Sequence, residues 1–254
     1  MPPNQDPPSW TPGCSMFDVN AVANMWACKK GSGPNPICEI DTSPDGEPMD
    51  PSENPLCDRT IRLDALAKLR LAAAERAKTG RQFFLAVGFR KPHMPWRVPS
   101  DFVARFNNVS ISVPKNPTMD SSVPPVAHFD EFLQTDPYQA LKPDAARKNR
   151  LYYHVAQAWM DYNLGLVLSE LESLGLADDT LVILHSDHGW SLGENGQWEK
   201  FTNWENGVRV PLIVRAPWIK GSAGKKTKAI VELVDVMQSM AELADVPLPA
   251  NQSL

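Results

Sequence analysis

A chain of 254 residues, 43% of them hydrophobic, is long enough to bury a core as one α/β domain or as part of a larger one, so it is globular rather than disordered. Its net charge of -5 excludes a general nucleic-acid-binding surface. No apolar stretch reaches the length of a membrane span.

The first 60 residues read as coil and turns, rich in Pro, Gly, Ser, Asn and Asp, with no lasting periodicity. Met1 to Asp6 has neither the basic nor the apolar region of a signal peptide. All four cysteines (Cys14, Cys28, Cys38 and Cys57) fall in this segment without the close paired spacing of a zinc ribbon, which favours disulfides in a secreted protein. Asn108-Val109-Ser110 and Asn251-Gln252-Ser253 are glycosylation sequons that point the same way.

Helical spacing begins at Ile61, with Leu63, Leu66, Leu69, Leu71 and Ala74 among charged residues, and predicts a helix to Lys78 that Thr79-Gly80 stops. Gln82 to Gly88 is aromatic and branched, and predicts a strand. Phe89 to Pro143 reads as loop, with a helical turn near Asp101 to Phe106; a loop this long is usually functional. Leu151, Val155, Trp159, Tyr162, Leu166 and Leu171 mark the buried face of a helix over Asp144 to Leu174, with Gly175 as its stop. Leu181 to Leu184 and Pro211 to Val214 predict two short strands, and Ile230 to Leu243 a final helix. The order of elements predicts an α/β layer fold, divided into a loop-rich, cysteine-bearing segment at 1–60 and an α/β domain at 61–254.

Three segments concentrate the groups that can carry chemistry. Gly88 to Arg97 follows the strand expected at 82–88 and places Arg90, Lys91, His93 and Arg97 together on an acidic protein. Pro92 and Pro95 rigidify the backbone around His93, which suits an anion site; a solvated basic loop is the alternative. Asp187 and His188 follow the strand at 181–184, where ligands bind in open α/β sheets. A carboxylate oxygen and an imidazole nitrogen side by side can bind a divalent cation. Lys200 follows closely and can neutralise an anionic ester oxygen, although taken alone it reads as a surface cation. His154 and His185 read as satisfied structural histidines, Asp178-Asp179 as a turn, and His128 has no assigned role.

Together, Lys91-Pro92-His93-x-Pro95, then Ser186-Asp187-His188-Gly189-Trp190-x-Leu192-Gly193-Glu194-x-Gly196-x-Trp198-x-Lys200, then Val210-Pro211-Leu212-Ile213 resemble the type I sulfatases of the alkaline-phosphatase-like superfamily, and among them the iduronate-2-sulfatase group. Val231 to Asp235 and the loop between Cys28 and Cys38 are similar to that group too, which carries a disulfide at the latter position. The resemblance implies a partial three-layer α/β fold with a mostly parallel central sheet, and a sulfuric ester hydrolase acting on a sulfated sugar. It implies Asp187 and His188 as ligands of calcium or another divalent cation. It implies His93 and Lys200 as catalytic and sulfate-contacting residues, Lys91 as part of the anion pocket, and a Cys28–Cys38 disulfide, with Cys14–Cys57 a weaker second pairing. It also implies a lysosomal or secreted location; and because His93, Asp187, His188 and Lys200 all follow the ends of expected strands or their loops, a parallel sheet is expected to bring them to one pocket.

The chain departs from the family where the nucleophile is concerned. The family makes its formylglycine from a Cys-x-(Pro/Ala)-x-Arg string, and none of the four cysteines begins one. The family's tandem N-terminal aspartates are absent as well. The expectation is a fragment, inactive alone, whose missing N-terminal part would be its partner. The rival readings are a phosphomonoester or phosphonate hydrolase of the same superfamily and a non-catalytic remnant.

Overall fold

The computed structural model describes residues 37–53, 55–129 and 136–247. They divide into two compact units, the first holding residues up to Asn108 together with Tyr152–Glu170, the second holding Val109–Leu151 and residues from Leu171 onward.

The first unit is built on a parallel pair of strands, β1 (Ile37–Ile40) and β2 (Trp96–Pro99), with Ile37 opposite Trp96 and Ile40 opposite Pro99. All four residues of β2 are buried. Neither strand is foreseen above: β1 is four residues in a stretch read as coil, and β2 lies in the proline-rich segment read as loop. The strand expected over 82–88 does not form. Its side chains keep a period-two alternation of exposure, but the segment makes no strand ladder, and Phe84 stays 64% exposed. Apolar alternation without a neighbouring strand leaves the backbone amides with no cross-strand partners.

Helix α1 (Cys57–Thr79) closes on Gly80, whose φ of 72° lets its N–H return to the Arg76 carbonyl at 2.8 Å. Its buried face is Asp58, Arg62, Ala65 and Leu69, so of the expected apolar positions Leu69 alone is fully buried. Leu63 and Leu71 are exposed. Arg62 supplies the reason: its guanidinium donates to the Asn163 side chain at 3.2 Å and to the Asp45 carbonyl at 2.9 Å, and pairs with the Asp45 carboxylate. Asn163 in turn donates to the Trp159 carbonyl. A buried charge satisfied this fully turns the helix toward its partners. Asn163 and Trp159 belong to the first-unit part of α3 (Pro143–Ser173), where Trp159 stacks on Tyr162 and meets Phe102 of the short α2 (Ser100–Ala104) edge-on. Gly46 is required beneath Trp159: a Cβ there would come within 2.4 Å of the indole. Cys38 is buried and disulfide-bonded. Cys28, and with it the expected pairing, lies outside the described residues; Cys57 is a free thiol, which overturns Cys14–Cys57.

The second unit pairs β3 (Val182–His185) with β6 (Leu212–Arg215), and β4 (Ser191–Leu192) with β5 (Trp198–Glu199). Both pairs are antiparallel. Helix and strand mix as an α/β chain should, yet among the described residues only β1 and β2 run parallel. The segment between β3 and β6 contains no helix longer than the four-residue α4 (Glu205–Val208), too short for a parallel crossover. The last helix, α5 (Asp235–Leu243), starts later than the apolar pattern from Ile230, because the Asp235 carboxylate accepts the Glu232 N–H and sets the first turn there.

Candidate active site

In the second unit, the end of β3 delivers Asp187 and His188, and the β4–β5 hairpin returns the chain over them. Ser191 faces Glu199 across the hairpin, so Lys200 falls beside the residues just before Ser191. The Lys200 ammonium lies 3.2 Å from His188 Nε2. On the other edge of that ring, Nδ1 is 2.8 Å from the Gly189 carbonyl. A carbonyl only accepts, so Nδ1 carries the proton and Nε2 is the acceptor of the neutral ring. Asp187 reaches the same nitrogen at 3.4 Å with a side chain 83% exposed, while His188 is 33% exposed. The Asp187 carboxylate accepts the His188 N–H at 3.0 Å, and Ser186 donates its hydroxyl to the His188 carbonyl at 2.7 Å.

The hairpin is held by a clamp that sequence reasoning missed. Arg150 donates to the Leu192 carbonyl at 2.8 Å and to Glu194 at 2.7 Å, and Glu194 accepts the Leu192 N–H. Burial works to raise the Glu194 carboxyl, but the Arg150 bond and the backbone N–H hold it below its ordinary value. Gly189 is obligatory: a Cβ would meet the Asn206 carbonyl oxygen at 2.0 Å, and its N–H donates to the Gly207 carbonyl at 2.9 Å. On either side of Lys200 the backbone takes left-handed conformations at Glu199 (φ 67°) and Phe201 (φ 57°), uncommon for any side chain and an outlier for an aromatic one.

Lys91 and His93 belong to the first unit. The His93 ring bonds through Nδ1 to the Met94 carbonyl, which only accepts, so Nδ1 carries the proton. Lys91 turns inward: its ammonium donates to the carbonyls of His93, at 3.0 Å, and Pro95. Beneath it lies Asp58, 1% exposed, whose carboxylate accepts the N–H groups of Arg90 at 2.8 Å and Lys91 at 3.1 Å. Burial pushes the Asp58 carboxyl up against the opposing pull of the Lys91 charge, and burial pushes the Lys91 ammonium down to about 8 against the pull of Asp58. Leu56, Cys57, Asp58, Lys91, Pro95, Arg97 and Trp159 line this small cleft. Asp58 also went unseen in the sequence, where an acid in a first helical turn looks like ordinary dipole compensation.

Of the other titratable groups, His154 bonds Gln157, His185 bonds the Ser186 carbonyl and Asp178-Asp179 sits in a turn. His128, without a role above, bonds Gln197 at 3.2 Å. Among the described residues no cluster of three or more His, Cys, Asp or Glu could hold a metal. Calcium takes six to eight oxygens. Asp187 and His188 by themselves therefore do not fit a calcium centre.

The family model described as Sulfatase matches residues 17–246. Iduronate 2-sulfatase of Mus musculus is 32% identical over 89% of this chain and 46% of its own length, and that of Homo sapiens 32% identical over 87% and 40%. The chain thus spans less than half the length of these relatives. Among solved structures, BT4656 in complex with its substrate D-glucosamine-2-N,6-O-disulfate superposes with a TM-score of 0.63 at 23% identity, covering 78% of this chain and 50% of that one. Phosphonate monoester hydrolase of Agrobacterium radiobacter does so with a TM-score of 0.62 at 20% identity, covering 83% and 42%. These two likenesses show a shared fold.

Proposed function

The chain belongs to the sulfatase family, and from that premise we propose that it forms part of a sulfuric ester hydrolase acting on a sulfated sugar, with the sulfate received at Lys200. The observation that carries the reading is the Lys200 ammonium beside His188 Nε2, 3.2 Å away, on a hairpin fixed by Arg150 and Glu194. A sulfate monoester shifts its bonding electron pair onto the sugar oxygen as the S–O bond breaks. A cation held at that oxygen stabilises the transition state more than the ground state. Lys200 fills this role, and His93, in the first unit, is assigned as a second catalytic residue. Lys91 supports the loop of His93 from beneath.

Asp187 and His188 are assigned as two donors toward a divalent cation, calcium in the family, whose shell these two residues alone do not complete. No Cys-x-(Pro/Ala)-x-Arg string, the family's source of its nucleophile, stands in these 254 residues. The relatives' names support sulfate chemistry on iduronate-type sugars over the phosphorus chemistry of the fold's other members. A lysosomal or secreted location accompanies this reading and is supported by the disulfide at Cys38. No helix among the described residues is long and apolar enough to cross a membrane.

Binding tests the reading directly. The purified chain should bind a sulfated uronic-acid disaccharide in a calorimetric titration and lose it in Lys200→Ala. Equal binding by the variant, or preference for a phosphorylated sugar, overturns it.

A further inference from the structure

Lys200 is followed by an exposed aromatic ring on strained backbone, and that ring does not stand alone. Phe201 is 56% exposed, and Phe129, 49% exposed, meets it edge to face with centroids 5.2 Å apart and planes at 82°. The Lys200 ammonium is 5.3 Å from the centre of the Phe201 ring. The segment carrying Phe129 is fastened down at the two residues before it. The Trp204 indole donates to the Ala127 carbonyl at 2.9 Å, and the His128 ring bonds the buried Gln197 side chain. Both anchors come from the stretch that holds Lys200. The pair is thus built rather than incidental: the segment carrying Phe129 is tied down next to it, and the two rings meet half in solvent beside a cation.

The backbone bears this out. A φ of 57° is costly for an aromatic residue, and such outliers persist where the surroundings enforce them. Here the outlier sets the direction of the Phe201 ring relative to the preceding lysine. A ring face is electron-rich and attracts partially positive C–H groups. One face of a pyranose presents such C–H groups, while its hydroxyls point outward around the rim. An ester sulfate held by Lys200 leaves its sugar one linkage away, beside Phe201.

We propose that Phe201 and Phe129 form a stacking platform for the sugar ring that bears the sulfate. The ligand class is a sulfated pyranoside with an unobstructed C–H face, and the platform selects the sugar while Lys200 selects the anion. This rests on the reading of Lys200 above, and the experiment separates the two.

The full chain is titrated, by chemical-shift changes, with a sulfated uronic-acid disaccharide and with methyl sulfate, which carries the ester but no ring. In wild type the disaccharide should bind the more tightly. Phe129→Ala and Phe201→Gly should each weaken it about fivefold, the scale of one stacking contact, and leave methyl sulfate unchanged. Phe201→Gly suits the left-handed backbone, so its loss is not one of folding, and Phe201→Tyr should restore the affinity. Equal affinity for both ligands, or phenylalanine variants that bind the disaccharide as wild type does, overturns the platform and leaves the anion site standing. Failure of wild type to bind either ligand overturns both.

Discussion

The carboxylate of Asp58 accepts the backbone N–H of Lys91 at 3.1 Å, from a position 1% exposed to solvent. The same lysine sends its ammonium forward to the carbonyls of His93 and Pro95. One buried acid thereby fixes the start of the His93 loop, and one half-buried cation closes it. Asp58→Ala removes both the acceptor and the balancing charge. It should cost about 1.5–3 kcal/mol, the scale of hydrogen bonds to a charged acceptor whose donors are left buried. Urea denaturation measures this; a loss below about 1 kcal/mol, the range of exposed pairs, would show that the acid is dispensable.

Lys91 should make stability depend on pH in a defined window. Its folded value is lowered to about 8 from 10.5, so between those values the unfolded chain binds the proton that the folded chain has released. Stability from this group is therefore fully present above 10.5 and is lost as pH falls through about 8. Asp58, Cys57, Arg90 and Arg97 face the ammonium, and the thiol, its value raised by burial, acts in the opposite direction as pH rises. The comparison that isolates the lysine is wild type against Lys91→Met. Wild type should gain on the variant from pH 8 upward, by at most about 1.4 kcal/mol per pH unit for a single proton. A difference that stays flat across the window contradicts a buried, charge-balanced lysine.

Gly189→Ala should damage the Asp187-His188 turn. Its Cβ would stand 2.0 Å from the Asn206 carbonyl oxygen, which is backbone and cannot swing aside. Overpacking of this kind costs about 1–3 kcal/mol. Thermal unfolding reads the loss. Gly165→Ala, where a Cβ meets nothing within 4 Å, is the control and should not lower the midpoint.

The 254-residue chain should turn over no aryl sulfate above the level of an Asp187→Ala control. It holds no Cys-x-(Pro/Ala)-x-Arg string, and its two candidate metal donors fall short of a calcium shell. Calcium should correspondingly bind no more tightly than the millimolar range typical of weak sites. Saturable micromolar binding, or clear turnover, would refute this.

The long helices were legible because their apolar spacing persists for many turns: α3 runs Pro143–Ser173 against an expected 144–174. Helix α1 was legible in extent but not in orientation, since the polar partners that turn Arg62 inward lie far away in the chain. Short strands fared unevenly. Val182–His185 and Leu212–Arg215 carry continuous branched runs. Trp96–Pro99 is hidden by its arginine and proline, and Gln82–Gly88 has the alternation without a neighbour to pair with. Within the site, Asp187, His188 and Lys200 do come together as their order suggested, because a hairpin of known register joins them. Phe129 lies far from that string in sequence, and only the Trp204 and Gln197 bonds reveal its place.

Cys57 gives the first unit a further property. Its thiol is free, and burial holds its proton more firmly than usual, with the Lys91 charge opposing. Only a thiolate attacks a disulfide, so this spare sulfur is a slow partner for exchange. The bridge at Cys38 is thereby kinetically guarded from this free cysteine of the same unit. In an oxidising compartment, the linkage made first should outlast the many shuffling events that an exposed, ionised thiol would provoke.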